Sequence, residues 1–219
     1  MLNRIAKAHH IKKTLLFCSM KLIDVITYLG IFIFAITGAL KARTYRMDIF
    51  GAIVLAFITS YGGGTLRDLL IGKTPVNWIN DNIALTLVFA ATAITFFFQL
   101  NFGLFRKIIF YTDTLGLGLF TVVGIEVSSD YNINSGYAVV MGVITATFGG
   151  LIADIFCNAV PNLLKRGELY ATVCAIGGVV YVSLKKLGFN HDTNLIICIL
   201  LVAGIRIYSK RKRLMLPEI

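Results

Sequence analysis

The chain has 219 residues, of which 57% are hydrophobic and only 15% are charged, and its mean hydropathy is +0.80. A soluble domain carries roughly 25% charged residues, so this composition excludes an ordinary soluble protein. The net charge of +10 does not indicate nucleic-acid binding, because the basic residues lie between long apolar runs, where they report orientation in a membrane.

Residues 1–20 fit the membrane pattern poorly, because they place a cluster of basic residues ahead of the first apolar run. The apolar stretch Thr14–Met20 is too short for the core of a signal peptide. We expect Met20 to be the natural start and the preceding segment to be an extension or a loose tail. His9 and His10 are expected to belong to that tail and not to a metal site.

Seven long apolar runs follow, each close to the roughly 20 residues that cross a bilayer. The strands of an outer-membrane barrel would be about half as long and would alternate apolar with polar residues. Basic clusters follow the first, third, fifth and seventh runs, whereas residues 128–135 after the fourth contain none. The positive-inside rule therefore predicts a multi-pass protein of the bacterial or archaeal inner membrane, with its N-terminus outside and its C-terminus in the cytoplasm. The predicted spans are residues 22–40, 49–71, 83–100, 108–127, 136–160, 169–187 and 193–209.

Ten identical residue pairs lie 86 positions apart, across residues 29–75 and 115–161. Gly30, Phe34 and Gly38 return as Gly116, Phe120 and Gly124; small residues on one helical face predict close packing of membrane helices. When a duplicated unit has an odd number of spans, its second copy inserts into the membrane upside down. Such inverted repeats are an architecture of transporters and channels. We predict an all-α polytopic membrane protein with seven transmembrane helices. Its parts are two inverted three-helix repeats, residues 21–104 and 105–190, and a seventh helix with a basic cytoplasmic tail, residues 191–219.

The second span contains three consecutive glycines, Gly62–Gly64, and the fifth span repeats the last two as Gly149 and Gly150. Glycine within a helix costs roughly 1 kcal/mol against alanine. We therefore expect a kink or a broken helix, whose freed carbonyls line a water-filled path or a buried site. Together with the hydroxyls of Thr59 and Thr145 they form the predicted cation path. The alternative is that the glycines only permit a tight helix crossing.

Two carboxylates flank this predicted path. Asp68 and Asp154 each follow the last glycine by four residues, roughly 6 Å along a helix, with Asp68 predicted near the outer mouth and Asp154 near the cytoplasmic one. Carboxylates within a span are functional candidates, and their oxygens suit a hydrated monovalent cation. Arg67 is expected to pair away from Asp68, since adjacent helical residues do not face each other, or to gate the path. Glu126 is a second candidate for a gate or ion pair. Three acidic residues lie near the ends of spans, and we expect them to be mainly solvated: Asp24, Asp113 and Glu126.

The remaining features receive structural interpretations. Pro75 and Pro161 are expected to end the glycine-bearing helices, and Trp78 is expected to anchor the outer interface. The sequence pairs no nucleophile with a base and contains no metal-ligand cluster or phosphate-binding loop, so we expect no enzyme, cofactor or resident metal, only transient monovalent cations. We expect the four cysteines to be packing residues and not to form disulfides or bind zinc. They are Cys18, Cys157, Cys174 and Cys198.

These motifs resemble a known family. The block Gly62–Asp68, its second copy, Pro75 and the Leu-Tyr-Ala-Thr sequence at 169–172 are similar to those of prokaryotic relatives of trimeric intracellular cation (TRIC) channels. The same family is also labelled as a glycine transporter domain present in two copies. The resemblance covers about residues 21 to 210.

The resemblance implies a homotrimer in membrane lipid, with a potassium-conducting and sodium-conducting pore inside each protomer, lined by the kinked second and fifth helices. Three positions depart from the family pattern. Phe148 replaces a third glycine, Ala153 replaces an arginine, and Val127 replaces a basic residue after Glu126. Voltage gating through position 127 is therefore not implied here.

Three functions are consistent with the sequence. The leading hypothesis is a monovalent cation channel with a pore inside each protomer. The second is a secondary transporter of a small zwitterion such as glycine, for which a half-helix N-terminus would bind the carboxylate and Asp68 or Asp154 the ammonium group. The third is a membrane scaffold whose glycines only pack helices.

Overall fold

The computed structural model describes residues 21–97, 102–165 and 169–214, and the expected N-terminal extension lies outside these ranges. The described residues form seven α-helices and one short 3₁₀ helix, Asn77–Asn80, with no strand among them, as the sequence predicts. The helices are α1 Leu22–Thr44, α2 Ile49–Leu70, α3 Asn82–Phe97, α4 Phe102–Asp130, α5 Ser135–Phe156, α6 Ala171–Lys186 and α7 His191–Lys212.

Five of these helices are long and apolar enough to cross a membrane, namely α1, α2, α4, α5 and α7. The third helix of each repeat is shorter: α3 and α6 have 16 residues each, which corresponds to about 24 Å of helix. The number of helices is therefore the one predicted. The α3 helix begins one residue before its predicted span and is described as far as Phe97, and α6 begins two residues after its predicted start and ends one residue before its predicted end.

The helix ends repeat with the same spacing as the sequence. Asp48 caps α2 by accepting a hydrogen bond from Gly51 N (2.7 Å), and Asn134 caps α5 by accepting one from Gly136 N (3.1 Å). Positions 48 and 134 are equivalent in the two repeats. A side-chain oxygen at this position satisfies a backbone N–H that has no partner within the helix.

The turns that follow the helices repeat as well. Left-handed residues follow α1 and α4 at Arg46 (φ 55°) and Asn132 (φ 60°), and follow α2 and α5 at Gly72 (φ 72°) and Asn158 (φ 51°). A left-handed residue is a common way to end a helix. Each of these pairs has the 86-residue spacing, so the duplication extends to the backbone of the connections.

At the centre of the molecule α1 crosses α4, its equivalent in the second repeat. The rings of Phe34 and Phe120 lie 5.0 Å apart between centroids. Gly30 faces the Phe120 ring, where an added Cβ would lie 3.4 Å from it, and a Cβ on Gly116 would overlap the Phe34 ring. The predicted packing role of these glycines is confirmed, since each one accommodates the aromatic ring from the other repeat.

The two faces of the bundle differ in charge. The vestibule face contains the start of α1, the end of α2, the end of α4 and the start of α7; the basic face contains the opposite ends of these helices. The α7 helix packs against α4 and α6. Acidic residues of the vestibule face are Asp24, Asp81, Glu126, Asp130 and Asp192, and exposed basic residues of the basic face are Arg46, Arg106, Lys107, Lys165, Lys210, Arg211, Lys212 and Arg213.

Candidate functional site: a vestibule above a closed helix crossing

A large open cavity lies at the vestibule face. Its volume is about 890 Å³, and five carboxylates and two lysines line it, which leaves a net charge of −3 when His191 is neutral. A cleft whose lining has a net charge favours ions of the opposite sign, so the net negative charge of this vestibule suits cations. Its charged lining residues are Lys21, Asp24, Lys73, Asp81, Glu126, Asp130, His191 and Asp192.

A smaller cavity of about 70 Å³ continues from the vestibule toward the middle of the bundle. The two share lining residues, among them Thr27, Asn77 and Asp81. The inner cavity extends between α2 and α4 as far as Thr145 of α5. The vestibule and the inner cavity are therefore adjacent within a single chain, and the inner one combines polar groups with a largely apolar wall.

Tyr61 forms part of the wall of the inner cavity. Its ring packs against Phe57 and Trp78, with centroids 4.8 Å and 6.1 Å away. Its hydroxyl is buried and has no hydrogen-bond partner among the described residues. Trp78 donates from Nε1 to Thr65 Oγ1 (3.1 Å), so this indole forms part of the cavity wall, and its predicted role as an interface anchor stays a prediction.

Asp81 is a site residue that the sequence reasoning missed. Its Oδ1 accepts a hydrogen bond from Ala84 N (3.0 Å), which caps α3, and its side chain lines both the vestibule and the inner cavity. An aspartate just before an apolar run is a helix N-cap signal, and that signal was available in the sequence. Its position at the neck between the two cavities was not, because the neck is built from residues distant in the chain.

The inner cavity ends where α2 crosses α5. A Cβ on Gly63 would overlap the carbonyl of Thr145, and a Cβ on Gly149 would overlap the carbonyl of Thr59. The contact is thus reciprocal between the two repeats. The structure brings four of the predicted path residues together here, with the two helix backbones in direct contact.

Both glycine-bearing helices are continuous through this crossing. The prediction of a broken helix is therefore wrong, while a kink stays a prediction. The physical reason is that glycine serves here for close approach, so the backbone keeps its own helical hydrogen bonds. The hydroxyls of Thr59 and Thr145 also donate within their own helices, to Leu55 O (2.7 Å) and Met141 O (2.6 Å).

Arg67 pairs with its neighbour in the sequence. Its Nε and Nη2 donate to Asp68 Oδ1 at 3.0 Å and 2.7 Å, and Asp68 is only 1% exposed. The expectation that Arg67 pairs elsewhere is wrong, because its long side chain curls back in the last turn of α2. Asp68 Oδ2 accepts from Asn77 N (3.0 Å), so this carboxylate also holds the loop after α2. Roles of Arg67 as a gate and of Asp68 in the ion path stay predictions.

Asp154, the equivalent of Asp68, is held in the same way. Lys41 Nζ donates to its Oδ1 (2.8 Å), and Asn162 N donates to its Oδ2 (2.9 Å). Lys41 belongs to the basic cluster after the first predicted span, which the sequence analysis interprets as a topology signal, and the structure buries it in this ion pair. Each repeat therefore anchors the loop after its second helix through one buried, charge-paired aspartate.

On the basic side, a buried cluster of Asp113, Tyr170 and Arg206 fills the position equivalent to the inner cavity; we call it the Arg206 cluster. Tyr170 Oη donates to Asp113 Oδ1 (3.1 Å), and Arg206 Nη2 donates to Asp113 Oδ2 (2.8 Å). The Arg206 guanidinium carbon lies 4.3 Å from the centroid of the Tyr170 ring. A Cβ on Gly150 would lie 2.9 Å from the Tyr170 hydroxyl oxygen.

The equivalents of these positions in the first repeat are Thr27, Gly64 and Ala84, and all three line the inner cavity. The two repeats are therefore unequal: one contains a recess where the other contains a tyrosine, an aspartate and an arginine from α7. The prediction that Asp113 is solvated is wrong, since this residue is only 3% exposed. Arg206 was missed, although an arginine inside an apolar span is itself a functional signal.

The remaining acidic candidates lie at the vestibule. Glu126 accepts hydrogen bonds from Lys185 Nζ and Tyr181 Oη, both at 2.7 Å, so its predicted ion pair is present. Asp24 is exposed and accepts from Lys21 N (3.1 Å) at the start of α1, as expected for a solvated position. The packing role of three cysteines is confirmed by their burial: they are Cys157, Cys174 and Cys198, while Cys18 lies outside the described residues.

Comparison with known proteins identifies relatives of the whole bundle. The family model described as glycine transporter matches the chain twice, over residues 24–100 and 110–186, with the spacing of the internal repeat. A UPF0126 membrane protein of Vibrio cholerae is 36% identical over 197 residues, covering 90% of this chain and 82% of the relative. The UPF0126 inner membrane protein YadS of Escherichia coli K12 is 39% identical over 155 residues, covering 69% of this chain and 73% of the relative.

Solved structures also identify relatives that match nearly the whole chain. The TRIC trimeric intracellular cation channel orthologue from Rhodobacter sphaeroides superposes with a TM-score of 0.84 at 32% identity, covering 89% of this chain and 100% of that one. A structure from work on conductance through TRIC cation channels superposes with a TM-score of 0.79 at 37% identity, covering 91% and 98%. These relatives are described as membrane proteins and as cation channels. The chain therefore belongs to the UPF0126 family of membrane proteins, whose repeated unit is the glycine transporter unit, and it has the fold of the TRIC channels.

Proposed function

We propose that the protein is a monovalent cation channel, conducting potassium and also sodium, with an ion path inside each protomer. The observation that carries this proposal is the vestibule of net charge −3, which narrows into the inner cavity within one chain and ends at the α2–α5 crossing. Cations concentrated by the vestibule reach hydroxyl and carboxylate oxygens, the ligands that such ions prefer.

The proposed path continues from the crossing to the basic face. In this conformation the Arg206 cluster occupies the route on that side, so the conformation is one that is open toward the vestibule and closed toward the basic face. Opening requires these three groups to separate, which involves movement of α4, of the start of α6 or of α7, because Asp113, Tyr170 and Arg206 belong to these three segments. The path residues Thr59, Gly62–Gly64, Thr145, Gly149 and Gly150, with Asp68 and Asp154, are proposed on this basis.

We place the basic face in the cytoplasm, following the positive-inside rule, and the vestibule outside. We further propose a homotrimer, for which the trimeric Rhodobacter sphaeroides structure at 32% identity is the support. Residues 21–104 and 105–190 are proposed as the two repeat units, and residues 191–219 as the seventh helix with a basic tail. In this arrangement each protomer contributes its own path.

The decisive experiment is single-channel recording of the purified protein in planar bilayers under a potassium gradient. Discrete currents that reverse near the potassium equilibrium potential support the channel. In Asp81→Asn, which keeps an oxygen acceptor for the α3 cap but removes one vestibule charge, we expect a smaller conductance at low salt. The difference should fade at high salt because mobile ions screen exposed charge. Unchanged conductance at low salt contradicts the proposed entry route.

The alternative function is secondary transport of a small zwitterion such as glycine. One observation favours it: the inner cavity is lined by charges of both signs, the ion pair of Arg67 with Asp68 and the carboxylate of Asp81, and Asp81 suits an ammonium group. Saturable glycine uptake into liposomes, in the absence of unitary currents, would establish the transporter. Currents that are indifferent to glycine on both sides exclude it.

A further inference from the structure

The inner cavity contains a buried hydroxyl group without a hydrogen-bond partner. Tyr61 lines this cavity and is only 6% exposed, and its hydroxyl has no partner among the described residues. Buried polar groups in native proteins almost always have a partner, and a group that lacks one within the protein commonly faces a water molecule or an ion. Tyr61 therefore indicates that the inner cavity binds a polar ligand.

Three other hydroxyls in the lining of this cavity are oriented as acceptors. Thr27, Ser60 and Thr145 line it, and each donates to a carbonyl of the preceding turn of its own helix, at 2.8 Å, 2.8 Å and 2.6 Å. A hydroxyl has one hydrogen and two lone pairs, so these three groups have only lone pairs left for another partner. The cavity therefore offers acceptors to a ligand that donates hydrogen bonds.

The charged residues that line the inner cavity leave one negative charge to be balanced. Arg67 is paired with Asp68, so Asp81 supplies the remaining charge of the lining. The Asp81 carboxylate caps α3 through Oδ1, and its other described neighbours include the hydroxyl groups of Tyr28 and Tyr61, with which it interacts electrostatically. A carboxylate has about four lone-pair sites, so Asp81 keeps acceptor positions for a cationic ligand.

The size and the wall of the cavity restrict which cation fits. A cavity of roughly 150 Å³ holds a benzene molecule, so this one, at about 70 Å³, has room for only a few non-hydrogen atoms. A potassium ion that loses its water needs a shell of oxygen ligands in its place, whereas a primary ammonium group has three N–H donors and is also attracted to the faces of aromatic rings. Much of the wall is apolar or aromatic, and these residues are Ile31, Trp78, Ala84, Phe120 and Val123.

We propose that the inner cavity binds a small primary ammonium ion, of which methylammonium is the simplest. Its N–H groups donate to Asp81 and to the hydroxyl oxygen of Tyr61, and its carbon lies on the apolar wall. The charge of the lining favours a cation over a zwitterion, because the carboxylate of glycine would meet groups that are themselves acceptors. The proposal concerns binding and does not rest on the conduction proposed above.

The test is isothermal titration of the purified full-length protein with methylammonium chloride at constant total chloride. Tyr61→Phe keeps the ring and removes only the unpartnered hydroxyl, so its fold should be intact. Tyr137→Phe is the matched control, since this tyrosine is 69% exposed and lies outside the cavity. We expect saturable binding to the wild type and roughly 10-fold weaker binding to Tyr61→Phe, the loss that corresponds to one hydrogen bond from a charged donor. Binding to the control should be unchanged.

A second variant, Asp81→Asn, keeps an acceptor for the α3 cap and removes the charge that the ligand balances. We expect it to weaken the binding of methylammonium by roughly 10-fold or more. It also decides the matter if Tyr61→Phe fails to fold. Methylammonium binding that the folded variants retain would overturn the proposal and leave the cavity to water.

Titrations with other ligands test the class of ligand. Potassium that binds as tightly as methylammonium would assign the cavity to alkali ions, and glycine that binds more tightly would assign it to a zwitterion. Tetramethylammonium has no N–H donor and is too large for the cavity, so equal binding of this ion would place the site in the open vestibule. Each of these three results overturns the proposal. A protein that conducts potassium but does not bind methylammonium refutes this inference alone, and one that binds methylammonium without unitary currents refutes only the channel.

Discussion

The substitution Tyr170→Phe tests whether the Arg206 cluster closes the path. It removes one hydroxyl, which donates to Asp113 at 3.1 Å, and keeps the ring that lies 4.3 Å from Arg206. A hydrogen bond to a charged acceptor contributes about 1.5–3 kcal/mol. If this bond forms only in the closed conformation, its loss shifts the equilibrium toward the open one by a factor of roughly 10 to 150, at about 1.4 kcal/mol for each factor of ten.

The assay is the open probability in single-channel records of the purified variant. Tyr181→Phe is the matched control, because its buried hydroxyl donates to a carboxylate, Glu126, at 2.7 Å but lies toward the vestibule face. We expect a large rise in open probability for Tyr170→Phe and no comparable rise for the control. A folded Tyr170→Phe protein whose open probability matches that of the wild type would refute the assignment of the closed gate to this cluster.

Three further predictions concern packing, a buried ion pair and pH. Gly63→Ala should destabilise the protein by about 1–3 kcal/mol, the usual effect of overpacking, because its Cβ would overlap a backbone carbonyl of the facing helix; thermal unfolding measures this. Gly204→Ala, where nothing lies within 4 Å of the added atom, is the control and should be neutral or stabilising. Asp154→Asn leaves Lys41 buried without a counter-charge, so we expect a loss of about 3–5 kcal/mol, and a loss under 1 kcal/mol would show that the pair is solvated in the native state. Burial lowers the pKa of Lys73, and this effect is larger than the opposing effect of nearby Asp68. As the pH rises through this lowered pKa, the vestibule loses a positive charge, so the cation conductance should rise. The variant Lys73→Gln should abolish this pH dependence.

The fold could be predicted because its main determinants are local or repeated. Apolar runs locate the helices, and the constant spacing identifies the duplication without any knowledge of contacts. The glycines at 30, 63, 116 and 149 indicate close approach of helices, and each does lie at a crossing. The sequence could not distinguish glycine that breaks a helix from glycine that admits a neighbour, since both have the same local pattern.

The charged site was predicted less well, because its partners are distant in the chain. Lys41 pairs with Asp154 and Arg206 pairs with Asp113, and neither spacing follows from helical periodicity. Arg67 shows the opposite error: the rule that adjacent helical residues face apart neglects the reach of a long side chain. Charge and hydropathy therefore identify which groups need partners inside the membrane, while the fold decides which partners they receive.

The reciprocal contact between α2 and α5 has a mechanical consequence. Its two close approaches, Gly63 on Thr145 and Gly149 on Thr59, are separated by one helical turn, about 6 Å. The closest backbone approaches of the two helices thus lie at one level, and this level is the natural pivot for a change in their crossing angle. A change in their crossing angle spreads both ends together, so the loop held by Asp68 and the loop held by Asp154 move in concert. On this geometry we expect motion at one face of the bundle to be coupled to motion at the other through the two helices themselves.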